Sequence, residues 1–546
     1  MPKLPQTRSR LRHGRAIALG AALATTGAAA LPAAASASSS QVAIIQDNAD
    51  LSNAASALGQ FRALGANTVR VIVPWALIAP DFNAKQKPHF NATDPNAYPT
   101  QNWAPYDNIV KAAKAAGITV DMTVTGGAPV WADGPGIPPQ GKNPAFAWKP
   151  NAKYYGEFVT AVGKRYNGHT DGLPAVRFWA LFNEPNFGQD LGPEAINGSR
   201  TPYAPRLYRG LVNAGWNALH ATGHGHDTIL IGEFAARGSN PSRPRRGAPQ
   251  GFPGNYGQTK PLQFIRTLYC LDSNYHQLRG ATAKSVGCPT SAGASRRFRG
   301  QNPGLFSASG VSDHPYPDNQ SPVRDGRGDP DFAAFPDLGN LARALDRATG
   351  SYGAHPHFSI YNTEYGYITS PPARRHYVSQ ATASYYINWA EYLSYKNPRV
   401  KSYMQYLLTD PPASSGAYTG FASGLETASG VHKADYDAYR MPFYMPRTSF
   451  SRTSKAEVWG NARPAGFERL AGFGTQKAQI QEKIGGAFKT VSTVTLRAPQ
   501  GYFDVHIKFP ASGTVRLAWT YPSDPLLSTD LSGQTIHSRS FAIKVH

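Results

Sequence analysis

Short apolar segments rich in β-branched and aromatic residues alternate with helix-like patterns between residues 42 and 407. Runs of about four to eight such residues, bounded by turn residues, favour buried strands. Strands that alternate with helices favour a parallel sheet with crossover helices, and eight strands of this kind close a TIM barrel. We therefore predict an α/β fold, a (β/α)8 barrel with strands at 42–46, 69–73, 118–123, 176–182, 228–232, 310–314, 358–363 and 402–407.

The first 37 residues have the composition of a secretory signal peptide. Lysine and arginine residues precede an apolar run at 16–31, and the small residues Ala35, Ser36 and Ala37 follow it. We expect cleavage near Ala37 and a secreted, extracellular mature chain. No later segment is long and apolar enough to predict a membrane span.

The only two cysteines, Cys270 and Cys288, lie in the part of the chain that we expect to be exported. Exported proteins meet oxidising conditions, so we predict one disulfide between them, stabilising the fold by about 3 kcal/mol in the chain-entropy model. Segment 237–304 is too long for a simple strand-to-helix connection. We interpret it as an insertion that the disulfide stabilises, within a barrel domain at 38–447.

The last hundred or so residues, 448–546, lack long helical patterns and contain β-rich runs between glycine, serine and proline turns. This pattern predicts a smaller antiparallel β-sandwich domain after the barrel. One interpretation is a sugar-binding module that uses Trp519 or Tyr521 as a stacking platform. The other, which we favour because aromatic residues usually lie in the core, is a structural domain packed against the barrel.

The formal net charge is +21, so nucleic acid has to be considered as a partner. The arginines concentrate in two loop-like stretches, 237–249 and 295–300, and no nucleic-acid-binding motif accompanies them. We therefore predict no nucleic-acid partner. Solvated loops are the favoured interpretation, and an anionic glycan or wall polymer is the alternative. No phosphate-binding glycine loop or metal-ligand set is present in the sequence, so we predict no cofactor and no metal.

Two of the predicted strands end in a carboxylate. Strand four runs into Asn183, Glu184 and Pro185, and strand seven runs into Glu364. Side chains alternate across a strand, so even-numbered residues of 178–184 and 358–364 share a face with their glutamates. If these faces point inward, both carboxylates emerge at the C-terminal mouth, where barrel enzymes place their chemistry.

These elements resemble clan A of the glycoside hydrolases, the cellulase-like retaining enzymes typified by families five and thirty-nine. Arg70 in "NTVRVIVPW" matches the strand-two arginine beside the nucleophile. Trp131 in "APVWA" resembles the strand-three element near the sugar, and His314 and Tyr316 in "SDHPYP" match the strand-six His-x-Tyr. The resemblance covers residues 40–447 and implies a secreted bacterial O-glycosyl hydrolase with a carbohydrate substrate.

Hydrolysis with retention needs two carboxyl groups about 5–5.5 Å apart. We assign Glu364 as the nucleophile, held ionised by Arg70 and the phenol of Tyr316, and Glu184 as the acid/base. Asn183 is expected to bond the sugar 2-hydroxyl. Transglycosylation would use the same residues. The alternative from another class is a non-catalytic glycan- or wall-binding protein on a barrel scaffold.

One position departs from the family pattern. Clan members commonly carry a tryptophan at the end of strand eight, beneath the sugar, whereas this strand reads "YMQYLLTD". Tyr406 or the loop 420–427 are the candidates to replace it. The departure bears on which sugar is preferred and leaves the two-carboxylate chemistry unchanged.

Overall fold

The structure is a computed structural model that describes residues 38–137, 144–195, 201–239, 257–324, 328–373, 377–412, 421–525 and 531–546. The predicted signal peptide at 1–37 and most of the arginine-rich stretch 237–249 lie outside the described residues. Within the described part of the chain, no helix has the length and hydropathy that crossing a membrane requires.

Eight parallel strands close into a barrel in chain order, and the last strand pairs with the first. All eight predicted strands are confirmed, the first and the sixth with the predicted bounds. The strands are β1 (Val42–Gln46), β2 (Thr68–Pro74), β3 (Thr119–Thr125), β4 (Phe178–Leu181), β5 (Thr228–Ala235), β6 (Gly310–His314), β7 (Ser359–Asn362) and β8 (Val400–Tyr406).

Helices connect and surround these strands, and local sequence sets their ends. The α3 helix ends where Gly117 adopts a left-handed conformation with φ 70°, and α5 begins where the Asn151 side chain accepts backbone N–H bonds. The α-helices are α1 (Ala54–Ala63), α2 (Trp75–Ile78), α3 (Thr100–Ala116), α4 (Pro144–Ala147), α5 (Ala152–Arg165), α6 (Ala204–Ala221), α7 (Pro261–Leu268), α8 (Gly280–Ser285), α9 (Ala292–Gln301), α10 (Pro303–Ser307), α11 (Leu338–Gly350), α12 (Gln380–Lys396), α13 (Ala434–Arg440) and α14 (Arg463–Glu468).

The side-chain alternation expected for strand four fails at its end. The regular strand stops at Leu181, and Phe182 has a φ of 77°. Its ring consequently packs outward against Tyr155 and Tyr208 on the surrounding helices, not into the barrel. Glu184 has a φ of 38°, so it reaches the mouth through irregular backbone and not through strand parity.

The predicted inward face of strand seven is also wrong. Ile360 belongs to the hydrophobic core that the strands form with the helices. Its neighbour Tyr361 instead contacts Phe178 of β4, with ring centroids 5.6 Å apart. Because β4 and β7 are not neighbouring strands, this contact crosses the barrel interior. Glu364 lies two residues beyond the end of β7 at Asn362, where the regular alternation has ceased to apply.

The segment between β5 and β6 contains four helices, α7 to α10, so the predicted insertion includes helical structure as well as loops. The predicted disulfide is confirmed, with an S–S distance of 2.00 Å between Cys270 and Cys288. Arg209 of α6 lies beneath it and donates hydrogen bonds to the carbonyls of Leu268 (2.8 Å) and Val286 (2.9 Å). These bonds fix both sides of the cross-linked segment to the barrel.

Two sheets follow the barrel, and the sequence prediction of a C-terminal β-sandwich holds. A hydrophobic core contains residues of both sheets, and all strand pairs are antiparallel except β10 with β17. The first sheet has the order β10-β17-β15-β12-β13, with β16 beside β15, and the second has the order β14-β11-β9. The strands are β9 (Phe443–Tyr444), β10 (Ser449–Phe450), β11 (Ala456–Asn461), β12 (Lys477–Ile484), β13 (Ala487–Thr495), β14 (Tyr502–Ile507), β15 (Gly513–Thr520), β16 (Thr535–His537) and β17 (Phe541–Val545).

Trp519 and Tyr521 are core residues of this sandwich. Their side chains are 2% and 1% exposed, and their rings contact one another at 4.6 Å between centroids. A sugar-stacking platform needs an accessible ring face. The interpretation of these two residues as a binding platform is therefore wrong, and the structural interpretation of the sandwich accounts for them.

Buried polar groups join the barrel to the sandwich. Arg463 donates to the carboxylate of Glu391 on α12 at 2.6 Å, and the Tyr502 hydroxyl donates to the other oxygen of that carboxylate, also at 2.6 Å. The Gln41 amide in turn donates to Tyr502 at 2.9 Å. A buried ion pair of this kind is costly to break, because removal of one partner leaves an uncompensated charge.

Glu468 and Asp524 of the later part face Arg62 of α1, at 4.0 and 2.7 Å, and this contact makes stability depend on pH. Burial, together with the neighbouring Asp524, raises the pKa of Glu468 to about 7. The folded chain keeps this proton at pH values where the unfolded chain, with a pKa near 4.5, has lost it. The contribution to stability is thus complete below pH 4.5 and disappears as the pH rises through 7.

We expect Glu468→Gln to match the wild type in unfolding free energy near pH 4.5 and to exceed it near pH 8, by on the order of 3 kcal/mol. Urea unfolding at a series of pH values measures the difference. Equal pH slopes for the two proteins would contradict the assignment.

Candidate active site

Glu184 and Glu364 meet at the mouth of the barrel with His314 between them. Nδ1 of His314 lies 3.0 Å from Oε1 of Glu184 and 3.6 Å from Oε2 of Glu364. One carboxylate oxygen of each glutamate and one nitrogen of the histidine all lie within 4.8 Å of one another. This spacing suits two carboxyl groups that act on the two atoms of one glycosidic bond, the anomeric carbon and the leaving oxygen.

Arg70, fully buried on β2, holds the base of the site together. All five of its N–H groups donate hydrogen bonds. It donates to Glu364 at 2.6 Å, to Glu233 at 2.5 Å and to Asn183 at 2.8 Å. Gln46 and Thr123 accept the remaining bonds. Burial alone would lower the pKa of the Arg70 guanidinium, but the two glutamates outweigh it and raise that pKa.

Glu364 is held in its ionised form. Besides Arg70, the hydroxyl of Tyr316 donates to Oε2 of Glu364 at 3.1 Å. Burial would raise the pKa of this carboxyl, but the positive charges of His314 and Arg70 and the two hydrogen bonds lower it below its usual value. The structure therefore places Arg70 and Tyr316 where the sequence analysis expected them, on Glu364.

The surroundings of His314 act on the pKa of its imidazole in opposite directions. Its side chain is fully buried, which disfavours the charge, but Glu364 and Glu184 face it and raise its pKa above the ordinary value. Among the described residues, Glu184, His314 and Glu364 form the one group of side chains close enough to hold a metal ion. Their geometry, with Nδ1 bonded to Glu184, suits proton sharing better than coordination.

The turn after β4 is anchored to β5, which fixes the direction of Glu184. The Glu184 N–H donates to the carbonyl of Glu233 at 3.1 Å. Asn186, two residues on, is buried and exchanges two hydrogen bonds with the backbone of Ala235, at 3.0 and 2.8 Å. The "NEP" turn is thus hydrogen-bonded to β5. Glu184 after β4 and Glu233 of β5 therefore lie at the same end of the barrel.

A cavity of about 550 Å³ opens above the two glutamates. Tyr316, Tyr406 and Phe421 form an aromatic wall on one side, with ring centroids 5.4 to 6.3 Å apart. Phe421 is 44% exposed, which leaves a ring face free for a ligand. Both replacements considered for the missing tryptophan, Tyr406 and the loop at 420–427, thus contribute a ring to the cavity. The described lining residues are Asn183, Glu184, Phe187, Ala235, Ala236, Arg237, Gln258, Tyr316, Asp318, Glu364, Gly366, Ile368, Tyr377, Tyr406 and Phe421.

Trp131 is not part of this cavity, which corrects the expected stacking role. Its side chain is 6% exposed and packs edge-to-face against Trp75, with ring centroids 5.7 Å apart. The indole N–H donates to the carbonyl of Pro80 at 3.2 Å, so its polar atom is already used. The short helical turn that contains Trp131 points the ring into the outer core and away from the mouth.

Two acidic residues of the site were missed by the sequence analysis. Glu233 ends an apolar run, "TILIGE", as Glu184 and Glu364 end theirs, so the same signal was present on strand five. Asp190 gave no such signal, because it lies in a loop. It bonds the side chain of Asn183, and burial with the charges of Glu184 and Glu364 raises its pKa well above the usual range.

Comparisons with known proteins find no matching family model and no matching curated protein. Solved structures with similarity include a family 39 glycoside hydrolase from Bacteroides cellulosilyticus WH2, at 13% identity and TM-score 0.44, covering 87% of this chain and 80% of that one. A glucosidase from Croceicoccus marinus matches at 12% identity and TM-score 0.42, over 83% and 89% of the two chains. A family 1 β-glucosidase from Thermotoga maritima matches at 15% and 0.42, over 71% and 85%. The barrel and the site described above rest on the geometry of this chain alone.

We expect Tyr316→Phe to raise the pKa of Glu364, because a hydrogen bond to a charged group, which contributes about 1.5–3 kcal/mol, is lost. Carboxyl ¹³C shifts of labelled glutamates, followed against pH, measure that pKa, and Glu364→Gln identifies the signal. Tyr406→Phe is the control, since it removes a hydroxyl from the same cavity wall but no bond to Glu364. A pKa of Glu364 that stays the same in Tyr316→Phe would show that the phenol does not stabilise the charge.

Proposed function

We propose that this chain is a retaining β-glycoside hydrolase that acts on poly- or oligosaccharide by double displacement. The observation that carries the proposal is the pair Glu184 and Glu364, with carboxylate oxygens within 4.8 Å and unequal surroundings. Glu364 is bonded by Arg70 and Tyr316, which favours an ionised nucleophile. Glu184 contacts His314 and faces the cavity, where a leaving-group oxygen can reach it.

In the first step, a carboxylate oxygen of Glu364 attacks the anomeric carbon while the glycosidic C–O bond breaks. Glu184 gives its proton to the departing oxygen, and the sugar is left as an ester of Glu364. Asn183 is positioned at the cavity by its bond to Arg70 and is the group proposed to bond the sugar 2-hydroxyl. Such a bond strengthens in the transition state and lowers the barrier.

In the second step, Glu184 accepts a proton from a water molecule, whose oxygen attacks the anomeric carbon. The ester C–O bond breaks, and Glu364 recovers its charge and its bonds to Arg70 and Tyr316. Two inversions at one carbon give net retention. If a sugar hydroxyl replaces the water, the same residues perform transglycosylation.

Tyr406 and Phe421 are proposed to stack against the sugar in place of the missing tryptophan. Their rings lie 5.6 Å apart at 84°, so they form a corner and not a single flat face. A sugar ring placed on Phe421 would meet the edge of Tyr406 and lie beside Tyr316. Stacking on an aromatic face buries the apolar side of the sugar.

We expect Glu364→Gln to abolish turnover of any aryl β-glycoside that the wild type hydrolyses. With Glu184→Gln, the hydrolysis of substrates with poor leaving groups falls about 10²–10⁴-fold. Added azide restores turnover of activated substrates by the Glu184 variant, because azide attacks the ester without a base. Glu157→Gln on α5, outside the cavity, is the matched control.

A panel of 2-deoxy-2-fluoro glycosides then distinguishes the enzyme from a non-catalytic glycan-binding protein. In an enzyme with the proposed roles, mass spectrometry finds one fluorosugar on the peptide that contains Glu364. An unlabelled chain that binds glycan without turnover supports the binding-protein alternative. A label on Glu184 reverses the two roles.

We also propose that the mature chain is secreted and that an anionic glycan or wall polymer binds a basic surface on the disulfide-linked segment. Residues 257–307 contain seven lysine or arginine residues and one acidic residue. Five of the seven are exposed and form no ion pair with any described acidic side chain: Arg279, Lys284, Arg296, Arg297 and Arg299. A surface of one sign attracts polymers of the other.

Removal of three of these charges, in the triple variant Arg296→Gln, Arg297→Gln, Arg299→Gln, is expected to weaken binding to polygalacturonate about tenfold at low salt. The control removes three exposed charges of the sandwich, Lys477, Lys489 and Lys544, by the same substitution. Titration at two salt concentrations, with neutral dextran in parallel, makes the measurement. Equal losses in both variants would indicate a general effect of net charge and no defined surface.

A further inference from the structure

Arg70 contacts a second carboxylate besides the proposed nucleophile. Glu233 on β5 accepts from Nε of Arg70 at 3.2 Å and from Nη2 at 2.5 Å, one oxygen for each nitrogen. Oε1 of Glu233 also accepts from the hydroxyl of Thr123 at 3.2 Å. The Glu233 side chain is 0% exposed. A two-point carboxylate contact fixes the plane of a guanidinium as well as its place.

The backbone of β5 is distorted in a way that aims Glu233 at Arg70. Leu230 packs in the barrel interior and Ile231 in the outer core, so regular alternation would turn Glu233 outward. The pairing with β6 shifts between Gly232 and Phe234, which leaves Glu233 as an extra residue with a φ of 51°. Phe234 consequently returns to the outer core, in contact with Tyr208. A bulge that re-aims one side chain is a feature found beside active sites.

The bulge depends on a glycine. Gly232 has a φ of 112°, and a Cβ atom there would lie 2.5 Å from the carbonyl oxygen of Ser312. The Ser312 hydroxyl accepts the Glu233 N–H at 2.9 Å, and the Glu233 carbonyl accepts the Glu184 N–H at 3.1 Å. Glu233 therefore has two contacts in the site. Its side chain binds Arg70, and its backbone carbonyl binds the turn that contains Glu184, the proposed acid/base.

Glu233 and Glu364 share the positive charge of Arg70 unequally. One guanidinium charge faces two carboxylates, and Glu233 takes two of its N–H groups, whereas Glu364 takes one. The imidazole of His314 also faces Glu364, with Nδ1 3.6 Å from a carboxylate oxygen. The titratable and charged groups that face this centre from every neighbouring strand and loop are Arg70, Asp121, Glu184, Asp190, Glu233, His314, Tyr316, Glu364 and Tyr406.

We infer that Glu233 is a positioning residue of the reaction: it clamps Arg70 against the nucleophile and offsets part of the guanidinium charge that faces Glu364. The inference rests on the proposed function, since it assigns a role to Glu233 in that chemistry. It explains why the strand deviates from regular alternation at this one residue. Glu233 does not contact the cavity and so touches no substrate.

Glu233→Gln tests the charge and Glu233→Ala tests the clamp. Glutamine keeps an oxygen that accepts from Arg70 but removes the negative charge beside it. The guanidinium charge then acts on Glu364 alone and lowers the pKa of that carboxyl, so the acid limb of the kcat/KM profile is expected to move to lower pH. Alanine also releases the guanidinium and is expected to lower kcat about ten- to hundredfold, with a smaller change in KM. The conservative glutamine variant recovers most of that loss.

Glu482→Gln is the matched control, because it removes another fully buried glutamate, in the sandwich, far along the chain from the site. A purely structural role for Glu233 would lower yield or kcat without moving the acid limb, and an unmoved limb in Glu233→Gln overturns the inference. The pKa of Glu364, followed by carboxyl ¹³C shifts, gives the same test without turnover. If the wild type shows no glycosidase activity while Glu233→Gln still lowers the pKa of Glu364, that result contradicts the proposed function and leaves the role of Glu233 intact.

Discussion

One buried guanidinium organises the mouth of the barrel. Arg70 has no exposed surface, and every one of its N–H groups is used by a side chain from a neighbouring strand or turn. A buried positive charge is tolerated only where opposite charges and acceptors surround it. The opposite charge comes from two carboxylates in distant parts of the chain, Glu233 and Glu364. Because the buried guanidinium needs these partners, Glu364 is held at a fixed place beside Arg70.

The sequence allowed the architecture to be predicted because each strand is a short apolar run with a clear boundary. It also allowed a meeting of Glu184 and Glu364 to be predicted, because parallel strands that each end in a carboxylate bring both groups to the same end of a barrel. Strand parity, however, predicted that the two carboxylates meet for a wrong reason. The left-handed backbone at Phe182 and the inward turn of Tyr361 are set by packing between strands, which a single strand's pattern does not encode.

The errors at Trp131 and Glu233 have a related origin. A tryptophan near a strand end satisfies a family pattern whether its ring points to the mouth or to the outer core, and here the neighbouring Trp75 and Pro80 hold it in the core. Glu233 carried the same sequence signal as the other two glutamates, but its parity pointed outward. Only the bulge beside Gly232, a property of the paired strands, turns it inward.

The joint between barrel and sandwich has a consequence for how this chain can be divided. Arg463 and Tyr502 of the later part are the partners that neutralise and bond Glu391 of the earlier part. Domains of a longer chain are often joined by flexible linkers and can fold separately. In this chain, removal of the residues after the eighth strand would leave the buried Glu391 carboxylate without Arg463. The barrel therefore depends on the sandwich for its own stability.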